Sequence, residues 1–170
     1  MMQKEKRTED STMDMKIIWA AAIFFGGWLF SYLFVRQLAF NFRIAYPMIR
    51  KLRTKDKDLI APGADKYTNI SVIVSAFVIL LIFFVVTFFC RTRLHLLIGF
   101  YFGVVSAFLL FLPRLKITER ATFDLFCSAY SRFIPDDELR TAMYERDPKG
   151  IRRRLRALDQ DDSIIPTFPG

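Results

Sequence analysis

The chain has 170 residues, a formal net charge of +8, two cysteines and a composition that is 53% hydrophobic. Its nineteen Phe fall in blocks rather than at spaced positions, which argues against both an ordinary soluble domain and a disulfide-stapled secreted one. The basic residues flank the apolar blocks, where anionic lipid headgroups are a simpler partner than nucleic acid.

In chain order, residues 1–16 form a polar segment in which Lys4, Lys6, Arg7 and Lys16 are balanced by Glu5, Glu9, Asp10 and Asp14. Residues 17–35 carry no charge, and as a helix they reach about 28 Å, close to the thickness of a hydrocarbon core. They predict a first transmembrane helix. Its alanines Ala20 to Ala22 lie at its start, and no small-residue cleavage site follows it, so it reads as uncleaved.

Residues 36–69 predict a basic cytoplasmic loop with an amphipathic or extended helix. Leu38, Phe42, Ala45 and Ile49 are expected on one face, Arg36, Arg43 and Arg50 recur every seven residues on another, and Pro47 is the expected kink. Asn69 is placed to cap the next helix. Residues 70–90 are the strongest apolar block, 91–93 a tight turn, and 94–112 a third spanning helix.

Residues 113–170 predict a cytoplasmic tail of about three short helices. The first has Leu115, Thr122, Phe126, Ala129, Tyr130 and Phe133 on its apolar side; the second starts at Asp136, Asp137 and Glu138; the third starts at Asp147-Pro148. Their stripes are too narrow for an independent core, so they are expected to dock on the first loop, on headgroups or on a partner. Ile164, Ile165 and Phe168, set between prolines, read as a small docking peptide or a plain chain end.

The fold class is therefore an all-α polytopic membrane protein with three transmembrane helices and a short helical basic cytoplasmic tail. The first loop and the tail share one side and hold nineteen of the twenty-five Lys and Arg, which places that side in the cytoplasm and the N-terminus outside. A bacterial inner membrane is the expected setting.

No catalytic, cofactor-binding or metal-ligating residue is assigned. The single His95 cannot make a zinc site, and Cys90 with His95 flanks a hairpin turn rather than a catalytic cleft. The spanning blocks lack Asp, Glu, Lys and Arg, the groups that transporters and pumps keep in the bilayer.

They do contain small residues at four-residue spacing, which let helix backbones approach closely: Ala22 and Gly26, Gly27 and Ser31, Ser71 and Ser75, then Gly99, Gly103 and Ala107. Packing within one chain and between chains both remain open. Expected contacts with anionic lipid or a protein partner are Arg36, Arg43, Arg50, Lys51 and Arg53 in the loop, and Arg152, Arg153, Arg154 and Arg156 in the tail.

Two functions fit. One is a non-catalytic membrane subunit or regulator that binds a protein partner, for example an accessory component of a secretion or conjugation complex or an exclusion or immunity protein. The other is a self-assembling, holin-like pore. A fluorescent protein fused after Gly170 is expected to light up, and an alkaline phosphatase fused there to stay inactive; the reverse pattern would invert the topology.

Overall fold

The computed structural model describes residues 2–158 and 168–169, and these contain helices and no strand. Helices α1 (Met2–Phe30), α2 (Arg36–Phe40) and α3 (Tyr46–Lys55) run on from one another through two π turns, Ser31–Val35 and Asn41–Ala45. Then come α4 (Gly63–Cys90), α5 (Leu94–Phe111), α6 (Arg120–Tyr130), α7 (Asp137–Tyr144) and α8 (Pro148–Leu158). Three helical stretches are long and apolar enough to cross a membrane: Met15–Thr54, Gly63–Cys90 and Leu94–Arg114.

Pro47, the expected kink, lies in the first turn of α3. The π turn just before it takes up the proline, with the Tyr46 N–H donating five residues back to the Asn41 carbonyl. That wider turn relieves the clash that a proline ring makes with the preceding turn of an α-helix. The buried positions are Phe40, Asn41, Ile44, Ala45, Met48, Ile49 and Leu52, which include Ala45 and Ile49 of the expected apolar face, while Phe42 of that face is 57% exposed. The start of α4 also differs from expectation. The Pro62-Gly63 pair begins the helix, and Asn69 lies within it, accepting a hydrogen bond from the Tyr46 hydroxyl instead of capping.

The chain divides into two compact units, Met1–Arg36 with Ala76–Phe111, and Gln37–Ser75 with Leu112–Gly170. In the first unit α1 and α5 approach backbone to backbone. A Cβ on Gly27 would run into the Phe100 carbonyl oxygen, and one on Gly103 into the Phe24 carbonyl oxygen. The buried Ser31 hydroxyl donates to the Val104 carbonyl at 3.2 Å, and Ala107 is fully buried. The rest of α4 stands off behind large rings. Phe83 meets Phe30 and Phe100 edge-on at 5.8 and 5.9 Å and stacks on Tyr101 at 5.5 Å.

In the second unit the C-terminal helices dock on the loop after α3. The Ala61 N–H donates to the Phe133 carbonyl at 2.8 Å, and the buried Thr68 and Tyr130 hydroxyls pair at 2.8 Å. Leu52, Ile60, Phe123, Phe126, Leu139, Ile151 and Leu155 make one shared core. The caps follow local chemistry: Asp136 accepts from the Leu139 N–H at 2.7 Å and Asp147 from the Lys149 N–H at 3.0 Å.

Replacing Gly103 or Gly27 by Leu is expected to cost about 1–3 kcal/mol by forcing α1 and α5 apart. Gly26, where a Cβ meets nothing within 4 Å, should accept Leu within about 0.5 kcal/mol. Thermal unfolding of the three variants in detergent checks this; equal behaviour at positions 26 and 103 would refute the contact.

Candidate functional site

The basic residues singled out from the sequence have different fates. Arg36 is folded back on Tyr32, donating to its hydroxyl at 2.9 Å with the guanidinium 5.0 Å from the ring centre. Arg43 donates to the Leu112 carbonyl at 3.1 Å, and Lys51 is exposed. Arg50 and Arg53 of the loop come together. They line an open groove of about 1140 Å³ along α3 and the first turn of α4.

One wall of that groove is apolar, made by Phe42, Tyr46, Pro47 and Ile49; its charged end adds Lys57, Asp56, Asp58 and Asp65. Arg53 is held by Asp65 at 2.7 Å. A groove with an aromatic wall at one end and mixed charges at the other suits an amphipathic ligand surface, a lipid headgroup region or the end of a partner helix.

Beside the groove runs a polar seam. The Gln37 and Asn41 amides donate to the Ser71 hydroxyl at 3.4 and 3.0 Å, and the buried Asn41 carbonyl oxygen has no protein partner. Ser71, expected to permit close packing, thus serves as a hydrogen-bond acceptor, while Ser75 is buried. Of the other small residues, Gly103 and Ala107 lie in the α1–α5 contact and a Cβ on Gly99 would sit 3.5 Å from the Ala20 carbonyl oxygen. Ala22 and Gly26 do not join them. Both are exposed, and the α1 face in contact is offset by one residue, at Gly27 and Ser31.

In the C-terminal helices Arg154 is committed internally. It bonds both carboxylate oxygens of Asp136, at 2.7 to 3.2 Å, and reaches Glu138 at 3.1 Å, tying α8 to the start of α7. Arg154 and the Leu139 N–H hold the Asp136 carboxyl below the usual carboxylate range, against a smaller opposing effect of burial. Arg152 donates to the Pro148 and Pro169 carbonyls at 3.3 and 3.1 Å. Arg153 is exposed, and with Lys149, Arg152 and Arg156 it lines a shallow basic depression on α8.

Sequence reasoning placed Phe126 and Tyr130 on the buried side of α6 but passed over Phe123 and Cys127, which are buried beside them. The pairs 122–123 and 126–127 followed by 130 are the doubled stripe of a helix covered on two sides, and that doubling was the available signal. Burial, followed by the charge of Asp124, pushes the Cys127 thiol up to about 12, so it is inert while the core is closed. Burial likewise raises the Tyr130 phenol. Among the described residues no cluster of His, Cys, Asp or Glu is arranged to hold a metal ion.

No family model, curated protein or solved structure matches the chain.

The Asp136–Arg154 bracket has a definite pH signature. Because the folded carboxyl sits below its unfolded value of about 3.9, its stabilisation is complete above that pH and is lost as the pH falls through the folded value. Thermal melts between pH 3 and 6 should show this loss in the native chain. Asp136→Asn should abolish that part of the slope, and Asp136→Ala, which also removes the cap, should cost about 1–2 kcal/mol at neutral pH.

Proposed function

We propose that this chain is a non-catalytic membrane subunit or regulator that binds a protein partner through its spanning helices and its basic C-terminal helices. In this reading the three apolar helices cross a bacterial inner membrane, the N-terminus is outside, and α6 to α8 lie in the cytoplasm near anionic headgroups. It belongs with accessory components of secretion or conjugation complexes and with exclusion or immunity proteins in its general plan, an analogy of architecture alone.

The observation that carries this reading is how the small residues are used. Gly27, Ser31, Gly103 and Ala107 are spent on the contact between α1 and α5 of the same chain, which leaves that row unavailable for assembling copies into a pore. The α4 span, by contrast, has 6% of the residues of its 18-residue apolar stretch buried and carries no Asp, Glu, Lys or Arg over residues 70–90. It offers a long apolar face to lipid or a partner helix and no group to line an aqueous path. The groove bearing Arg50 and Arg53 supports a second contact at the polar end.

The pore reading keeps one support, the exposed Ala22 and Gly26 on α1, which are suited to contact between copies.

Induced expression is expected to leave membrane potential and growth unchanged, and gentle detergent extraction to recover a protein in stable proportion. Deleting residues 135–170 should reduce that recovery at least about tenfold, the scale of losing one docking surface. Rapid depolarisation on induction would favour the pore, and unchanged recovery after the deletion would refute the role of the C-terminal helices.

A further inference from the structure

Phe168 lies in sequence beyond α8, yet its ring is 4% exposed and meets Phe123 edge-on at 5.6 Å. The next residue, Pro169, is also buried, and its carbonyl accepts from the Arg152 guanidinium at 3.1 Å. We propose that the cleft between α6, α7 and α8 is a docking site for an extended Phe-Pro peptide, with the chain's own Phe168-Pro169 as its tethered and exchangeable occupant.

Two features point to a seated ligand. The first is that bonds not involving Phe168 link the elements of the seat. Its walls are Leu52, Phe126, Cys127, Leu139, Met143 and Ile151, and other bonds hold those elements together: Arg154 to Asp136 across α7 and α8, and Ala61 to Phe133 at the loop. The second is the mode of recognition. One aromatic side chain enters a pocket while a fixed donor reads a backbone carbonyl, which is how extended peptides are bound. Residues 168–169 are outside any helix, and the proline ring limits the conformational freedom lost on docking.

Residues 159–167 connect the occupant to α8, so in cis it competes at a local concentration on the millimolar scale. A free peptide must therefore match that scale to replace it. The inference stands apart from the identity of any membrane partner, because its readout lies wholly within the C-terminal helices.

Cys127 lines the seat and serves as the reporter. In the full chain in detergent, maleimide modification at Cys127, read by peptide mass spectrometry, should be slow in the native protein and at least about tenfold faster in Phe168→Ala. A synthetic peptide of sequence DSIIPTFPG, added up to about 1 mM, should return the protection saturably. The same peptide with Ala in place of Phe should not.

A second protein keeps Phe168 throughout folding and carries a protease site in place of residues 160–163. After cutting, the severed segment should stay bound and exchange for added peptide without denaturant. Protection that survives Phe168→Ala, exposure that no peptide reverses, or a severed segment that cannot be exchanged would each overturn the proposal.

Discussion

The first unit rests on the contact of two glycines with two carbonyls. The apolar part of α1 packs on α5 through atoms brought very close, where attraction between two apolar helix faces arises. Gly27 against the Phe100 carbonyl and Gly103 against the Phe24 carbonyl make that approach from both sides. At such separations Cα–H groups can face carbonyl oxygens, a contact weak alone but repeated along the crossing. The Ser31 hydroxyl on the Val104 carbonyl adds one direct hydrogen bond. Because α1 and α5 are so close, the rings of Phe30 and Phe100 are brought into contact at 6.0 Å, and Phe83 of α4 rests against both. The α4 helix is thus held by aromatic edges at longer range and keeps most of its surface open.

The two π turns have the opposite character. They interrupt the regular α-helical hydrogen bonding between α1, α2 and α3. At the turn Asn41–Ala45, Asn41, Ile44 and Ala45 lie inside, Phe42 lines the groove, and Pro47 follows in the first turn of α3. The buried Asn41 amide, bonded to Ser71 on one side only, lies at that turn. Irregular backbone and an unsatisfied polar atom coincide beside the groove that holds Arg50 and Arg53, where physical grounds most favour a binding surface.

The C-terminal helices illustrate how a basic composition can mislead about surface. Arg154 belongs to an apparent arginine cluster but is consumed by Asp136 and Glu138, and Arg152 points its bonds at two backbone carbonyls. The charge presented outward by α8 is smaller than the sequence suggests. The same bracket is what lets three short amphipathic helices share a core with Leu52 and Ile60 from the earlier loop instead of requiring a separate partner to cover them.

Patterns that depend on one segment were legible in the amino-acid sequence: three long apolar stretches, and the starts of α7 and α8 at Asp136 and Asp147. Those follow from solvent preference and from short-range hydrogen bonding, both written in neighbouring residues. Which small residues meet, by contrast, depends on the rotation of one helix against another, and a shift of one residue moves the contact from Gly26 to Gly27. Likewise the π turns, the fate of each arginine and the seat of Phe168 arise from distant segments competing for the same space and the same acceptors. Only the tertiary structure decides these, because each outcome depends on atoms that the local sequence does not contain.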